Sequence, residues 1–244
     1  MTSTKESILL DDLGKRFGSL WALRHVSLIV PYGVIHAFLG PNGAGKTTTL
    51  RLIAGLLFPT EGTIRVGGMD PSQDWAPVRR MLSYVPDVPF LYGKLTGEEF
   101  LRFVGGLHGM DGRMLSDRIS FFVERFDLQQ YYRQRVESYS HGTRQKVVIS
   151  AALLSHPRVL LVDEPMVGLD PASSRILKDL LRTEARDGAS ILLSTHTLSV
   201  AQELADCITV INEGAIVLSG TTSDLLGPDR AKSLETLFLE ITGA

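Results

Sequence analysis

Two kinds of apolar spacing alternate along this chain. Short continuous runs recur at Ser27–Val30, Val34–Leu39, Val159–Val162, Ile191–Leu193 and Ile208–Ile211. Runs of that length without polar alternation predict strands covered on both faces, as in a parallel sheet. Between them the spacing shifts to the helical period, over Thr47–Leu56 and again over Ser173–Arg186. Strand, loop and helix in turn predict a wound α/β core.

From about Thr96 to Leu154 the pattern changes. Leu115, Ile119, Phe122 and Phe126 recur at helical spacing, and strand-like runs are scarce until Val159. This stretch reads as a mostly helical insert in the sheet domain. Within Ser233–Ile241, Leu234, Leu237, Phe238 and Ile241 share one helical face. A helix docked on the chain's own core and a helix offered to a partner both fit that pattern.

Composition narrows the classes only slightly. The 244 residues suffice for one large domain or two small ones. A formal net charge of -2 gives no electrostatic case for nucleic acid as the main partner, and none is expected. Cys207 is the single cysteine, which leaves no disulfide framework or thiol zinc cluster and fits a reducing compartment. No basic segment leads into an apolar core at the N-terminus, and no run approaches about eighteen apolar residues. The expectation is a cytoplasmic protein that reaches a membrane only through a partner.

The chemistry begins at Gly40-Pro41-Asn42-Gly43-Ala44-Gly45-Lys46-Thr47, followed by Thr48. The octet matches G-x-x-x-x-G-K-[ST] at every position. Glycines let the backbone curl so that several N–H groups point inward at phosphate oxygens, and the following helix adds the positive end of its dipole. Lys46 would bring a point charge to the β and γ phosphates, and Thr47 a hydroxyl ligand for Mg2+. The flanking pattern agrees, with an apolar strand entering the loop and a helix leaving it.

A second apolar run, Val159–Val162, ends in Asp163-Glu164. Alone, such an ending fits a solvated turn. Downstream of a phosphate loop, it fits the carboxyl edge of a parallel sheet, where α/β proteins bind ligands. Asp163 would then hold Mg2+, and Glu164 would polarise the water that attacks the γ phosphate.

The order of these motifs resembles the nucleotide-binding domain of ATP-binding cassette (ABC) proteins, over nearly the whole chain. The family's signature, usually Leu-Ser-Gly-Gly-Gln, is matched by Tyr139-Ser140-His141-Gly142-Thr143, followed by Arg144-Gln145-Lys146. The resemblance implies head-to-tail pairing of two such domains, with Ser140 and Gly142 of one contacting the γ phosphate held by the other. Ser140 also suits a plain helix cap, and both readings can hold together. His141 stands where glycine is usual, and Thr143 where glutamine is usual.

Further positions carry the resemblance. Phe17, in Leu13-Gly14-Lys15-Arg16-Phe17-Gly18, is similar to the aromatic that stacks on adenine. Asp87, after Ser83-Tyr84-Val85-Pro86, occupies the place of the Q-loop glutamine, from which a carboxylate still reaches Mg2+ or its water. Gly168-Leu169-Asp170 resembles the D-loop along the dimer interface, and His196, after Ser194-Thr195, the switch histidine at the γ phosphate. The implied fold is a P-loop NTPase core with a parallel sheet, an N-terminal antiparallel β subdomain and a helical insert. Residues 1–86 and 157–220 would form the nucleotide-binding core, 87–156 the helical signature subdomain and 221–244 a short C-terminal helix.

The resemblance implies ATP and Mg2+ as ligands and hydrolysis to ADP and phosphate by in-line attack of water. It implies two partners, a transmembrane permease and a second copy or paralogue of this chain. Val88-Pro89-Phe90-Leu91-Tyr92, beside Asp87, lies where ABC transporters dock the coupling helices of their membrane subunits, although burial inside the insert fits it equally. DNA-repair and chromosome members of the superfamily carry long coiled coils between P-loop and signature, and no heptad run separates Lys46 from Ser140. Ribosome-associated members carry two nucleotide domains in one chain, and this chain has one P-loop. Tyr84–Asp87, Leu95-Thr96-Gly97-Glu98, the Tyr-Ser-His-Gly signature and Leu234–Gly243 resemble bacterial exporter ATPases.

Overall fold

A computed structural model of the chain describes residues 6–226, 236 and 238–240. In chain order the strands and helices are β1 (Glu6–Phe17), β2 (Leu20–Pro31), β3 (Ile35–Leu39), α1 (Lys46–Ile53), β4 (Glu61–Val66), α2 (Trp75–Met81) and β5 (Leu82–Val85). Three helices follow with no strand between them: α3 (Gly97–Leu107), α4 (Gly112–Arg125) and α5 (His141–Leu153). The chain then returns to the sheet through β6 (Val159–Asp163), α6 (Pro171–Arg186), β7 (Ser190–Thr195), α7 (Leu198–Leu204), β8 (Cys207–Asn212), β9 (Ala215–Thr221) and α8 (Thr222–Leu226).

Six strands form the central sheet in the order β5-β6-β7-β3-β8-β9, parallel except for the final β8–β9 pair. Every residue of β3, β6 and β7 is buried. Alternate side chains serve two cores. Leu160, Val162, Ile191 and Leu193 pack with the helical insert and α6, whereas Val159, Leu161, Leu192 and Phe38 pack with α1 and the N-terminal strands. Continuous apolar runs are what such two-faced burial requires.

Ser27–Val30 departs from that expectation. It lies in β2, within a separate three-stranded antiparallel sheet ordered β2-β1-β4. Val26, Leu28 and Val30 face inward, while Ser27 and Ile29 face out. Ile29 is 53% exposed, so one apolar residue on the wet face hides the alternation and makes a half-buried strand read as a fully buried one.

The insert is anchored at its helix ends. Thr96 and Glu99 form a reciprocal capping box at the start of α3. Arg118 of α4 donates to the carbonyls of Leu153 and Leu154 at the end of α5, where intrahelical donors run out. Of the expected helix at Ser233–Ile241, Thr236 and Phe238–Glu240 are described and helical, and Phe238 packs beside Leu39, Ala201, Ile208 and Val210. Leu234, Leu237 and Ile241 lie outside the described residues.

A buried polar chain crosses the sheet below the phosphate loop. His36 Nε2 lies 2.7 Å from Thr209 Oγ1, which lies 2.7 Å from Ser219 Oγ. Burial lowers the His36 pKa to about 4. The neutral ring is therefore favoured by folding, and its contribution is complete above the unfolded pKa near 6.5. It is lost as pH falls towards about 4, by about 3 kcal/mol in all. A His36→Gln variant is expected to show a flatter loss of stability over that window in urea titrations. An unchanged acid slope would assign the loss to other groups.

Candidate functional site

Three strand ends bring the site together. β3 stops at Leu39, the chain turns through Gly40–Gly45, and α1 begins at Lys46. Two glycines are sterically required. A Cβ at Gly40 would sit 2.3 Å from the Ile211 carbonyl oxygen. At Gly45, where φ is +108°, it would sit 2.6 Å from Leu23 Cδ2 and 2.8 Å from the Ala22 carbonyl oxygen. The loop encloses a cavity of about 210 Å³ lined by Ala22, Asn42, Gly43, Gly45, Lys46, Thr47, Thr48, Asp87 and Glu164.

Lys46 is buried, and its Nζ donates to the Gly40 and Pro41 carbonyls at 2.7 and 3.1 Å. The ammonium is thereby folded back over the loop, 3.5 Å from Glu164 Oε1. His196 follows β7 and is half-exposed, with Nδ1 2.9 Å from the same oxygen. Neither approach is aligned as a hydrogen bond, and Glu164 Oε1 is buried without one. Glu164 Oε1 therefore sits beside an ammonium and an imidazole without a directed hydrogen bond. The Glu164 backbone is itself unusual, with φ +46°.

Asp163 is completely buried at the end of β6. In the parallel register it faces Ser194 of β7, whose hydroxyl donates to Oδ1. Tyr84 of β5 donates to Oδ2 at 3.4 Å. Burial raises the Asp163 pKa, helped by the charges of Asp87 and Glu164, while hydrogen bonds from the Ser194 and Thr47 hydroxyls pull it down. Burial and the Asp163 charge push Tyr84 up to about 12, so its hydroxyl is a donor at neutral pH.

Thr47, Asp163 and Asp87 offer the hard oxygen donors that Mg2+ takes. Asp87 lines the cavity, and its Oδ1 accepts from the Val88 amide at 2.8 Å. Among the described residues no group of three or more His, Cys, Asp or Glu side chains converges to hold a metal. That donor set fits Mg2+ arriving with phosphates and water rather than in an all-protein cage.

Ser140 and Gly142 open α5 and are not among the cavity walls. Ser140 Oγ accepts from the Thr143 amide at 3.2 Å and lies 2.9 Å from Thr143 Oγ1, so the helix-cap reading holds. His141 packs its ring directly against Gly168. Gln145 Nε2 donates to the Pro165 carbonyl at 3.5 Å, and Lys146 Nζ lies 3.0 Å from Asp170 Oδ2. The first turns of α5 thus grip residues 165–170 at three points. Asp170 also caps α6, accepting from the Ser173 amide and hydroxyl at 2.8 and 2.7 Å, and these bonds hold its carboxyl far below the usual range. Its side chain is committed within the chain. Phe17 is 47% exposed, with Lys15 Nζ 5.0 Å from its ring centre, and so is not a core aromatic.

Ala22, Tyr84 and Ser194 belong to the site without having been singled out. Ser194 directly precedes Thr195-His196, but its pairing with Asp163 depends on strand register. Tyr84 stands on a strand too short to announce a facing direction.

The model of the ABC transporter family matches residues 23–167. Over 237 residues the chain is 35% identical to the ABC transporter ATP-binding protein NatA of Bacillus subtilis (strain 168), covering 95% of this chain and 96% of that protein. It is 37% identical over 219 residues to the daunorubicin resistance ATP-binding protein DrrA3 of Streptomyces coeruleorubidus, covering 90% of this chain and 69% of that protein. A solved structure of an ATP-binding subunit of an ABC transporter superposes with a TM-score of 0.90 at 32% identity, covering 96% of this chain and 98% of that one. The chain belongs to the ABC transporter family. Within it, this is an ATP-binding and ATP-hydrolysing subunit.

Proposed function

We propose that two such subunits, identical or paralogous, close around two ATP molecules and that hydrolysis drives a separate transmembrane permease in the direction of export. The observation that carries the reading is the half-built site: Lys46 and Glu164 line one cavity with His196 against Glu164, while Ser140 and Gly142 are not among its walls. A second chain completes it.

In this reading the loop amides and Lys46 hold the β and γ phosphates, with Asn42, Gly43, Ala44, Thr48 and the turn at Gly40-Pro41 shaping the cradle. Phe17 stacks on the adenine. Thr47, Asp163 and Asp87 hold Mg2+, which neutralises phosphate charge when bound. Glu164 takes the proton of the attacking water, and His196, 2.9 Å from that carboxylate, contacts the γ phosphate. Ser140 and Gly142 meet the partner's nucleotide, and Asp170 sets the shape of the interface through its cap and its bond to Lys146.

A groove of about 880 Å³ between α1, α2, β5, α3 and α5 suits the permease. Val88 and Phe90, 70% and 72% exposed, stand at its edge, which favours docking over burial for Val88–Tyr92. Its walls carry Arg51, Arg79, Arg80 and His108 but no carboxylate, so an apolar segment with acidic residues fits it. Among the described residues no helix is long and apolar enough to cross a membrane, and this reading places the subunit on the cytoplasmic face. The daunorubicin-resistance relative supports export.

Ser140→Asp is a direct test, because aspartate keeps the helix cap but sets a carboxylate against the partner's phosphates. Turnover is expected to fall at least about tenfold with ATP binding retained, given the several kcal/mol attached to like-charge contacts. ATP-dependent dimers should disappear from size-exclusion profiles. Wild-type turnover per subunit that is independent of protein concentration, and unchanged in the variant, would overturn the shared site. Docking is checked by detergent extraction of the native complex, from which Phe90→Asp is expected to lose the permease.

A further inference from the structure

The groove wall and the surroundings of Asp163 meet in one side chain. Tyr84 turns its ring to the groove while its hydroxyl donates to Asp163 Oδ2 at 3.4 Å. Arg51, also on the groove wall, brings its positive charge near the same hydroxyl. The Tyr84 hydroxyl thus donates, near a cation, to a carboxylate with no exposure to water. A hydrogen bond in such a low-dielectric interior is electrostatically stronger than in water.

Besides the Thr47 hydroxyl of the phosphate loop, Asp163 is restrained from its two neighbouring strands. Ser194 holds Oδ1 from β7, and Tyr84 donates to Oδ2 from β5. The two hydroxyls approach from opposite neighbours in the sheet, β7 and β5. Ser194 is set by strand pairing alone. Tyr84 is set by strand pairing and by whatever presses on the groove.

We propose that Tyr84 is a positioning residue: it orients Asp163 for magnesium and ties that orientation, with Arg51, to the wall of the groove. This rests on Asp163 as a magnesium ligand and on the groove as the docking site. It adds a route from groove to metal that bypasses the Asp87 segment. Displacement of Arg51 or of the Tyr84 ring by an occupant would turn the Asp163 carboxylate without moving the phosphate loop.

Tyr84→Phe in the full chain keeps the ring in the wall and deletes only the hydroxyl. Binding of a fluorescent ATP analogue is measured with Mg2+ and again with EDTA. The variant is expected to bind about fivefold more weakly with Mg2+, the size of one modest hydrogen bond, and normally with EDTA. Arg51→Met is expected to show a smaller loss confined to the Mg2+ condition, and both variants should keep the wild-type Tm. Equal weakening in both conditions, or no change in either, would overturn the proposal. Wild-type chain that gains no affinity from Mg2+ would instead sink the assignment of the magnesium site itself.

Discussion

Glu164→Gln is expected to hydrolyse ATP about 10²–10⁴-fold more slowly than the wild-type chain, the range lost with a general base. Glutamine fills the same space beside Lys46 and His196 but cannot take the proton of the attacking water. The phosphate loop is untouched, so the nucleotide still binds. Removal of a negative charge from the edge of the cavity also lessens repulsion of the γ phosphate. Two variant chains should close on ATP and stay closed, because nothing converts the ligand that bridges them. Phosphate release measures the first effect, and size exclusion with ATP and Mg2+ the second. Turnover at the wild-type rate would move the base to another residue.

Lys46→Ala is expected to weaken ATP binding about 100-fold, corresponding to about 3 kcal/mol for charge-assisted bonds to phosphate. The loss has two origins. The phosphates lose a cation, and the loop loses the ammonium that joins the Gly40 and Pro41 carbonyls. Glu164 is left without the charge 3.5 Å away. Lys46→Arg is not expected to restore binding, since a planar guanidinium does not fit where a compact ammonium is folded over its own loop. Titration with a fluorescent analogue checks both variants. Wild-type affinity in Lys46→Ala would mean that the backbone amides hold the phosphates unaided.

The parts of the site legible in the sequence are those built from contiguous residues. The phosphate loop is a local steric solution, and its glycines are needed against neighbours that lie close whatever the rest of the fold does. The position of Asp163-Glu164 was legible because the apolar run Val159–Val162 marks a buried strand, and β6 does end at Asp163. The helical insert was legible from the periodic apolar face of Leu115, Ile119 and Phe122, all of which are buried. The antiparallel sheet was recoverable only through the family resemblance, since Ile29 disguises the alternation of β2. Contacts that depend on register were not legible. Ser194 against Asp163, His196 against Glu164 and Lys146 against Asp170 join residues brought together by strand order and helix packing. Asp170 shows the limit most clearly, because the motif marks an interface position and the structure commits its carboxylate to Ser173 and Lys146.

The left-handed backbone at Glu164, φ +46°, gives the evolution of such chains a direction. A residue with a Cβ pays about 1–2 kcal/mol to hold that conformation, and glycine does not. With Glu164 as the proposed base, drift towards stability at this position runs against hydrolysis. In a pair of diverged subunits the requirement can lapse on one side. The copy released from it gains stability by taking glycine or asparagine at this position, so the backbone itself favours the emergence of pairs with one working site and one silent one.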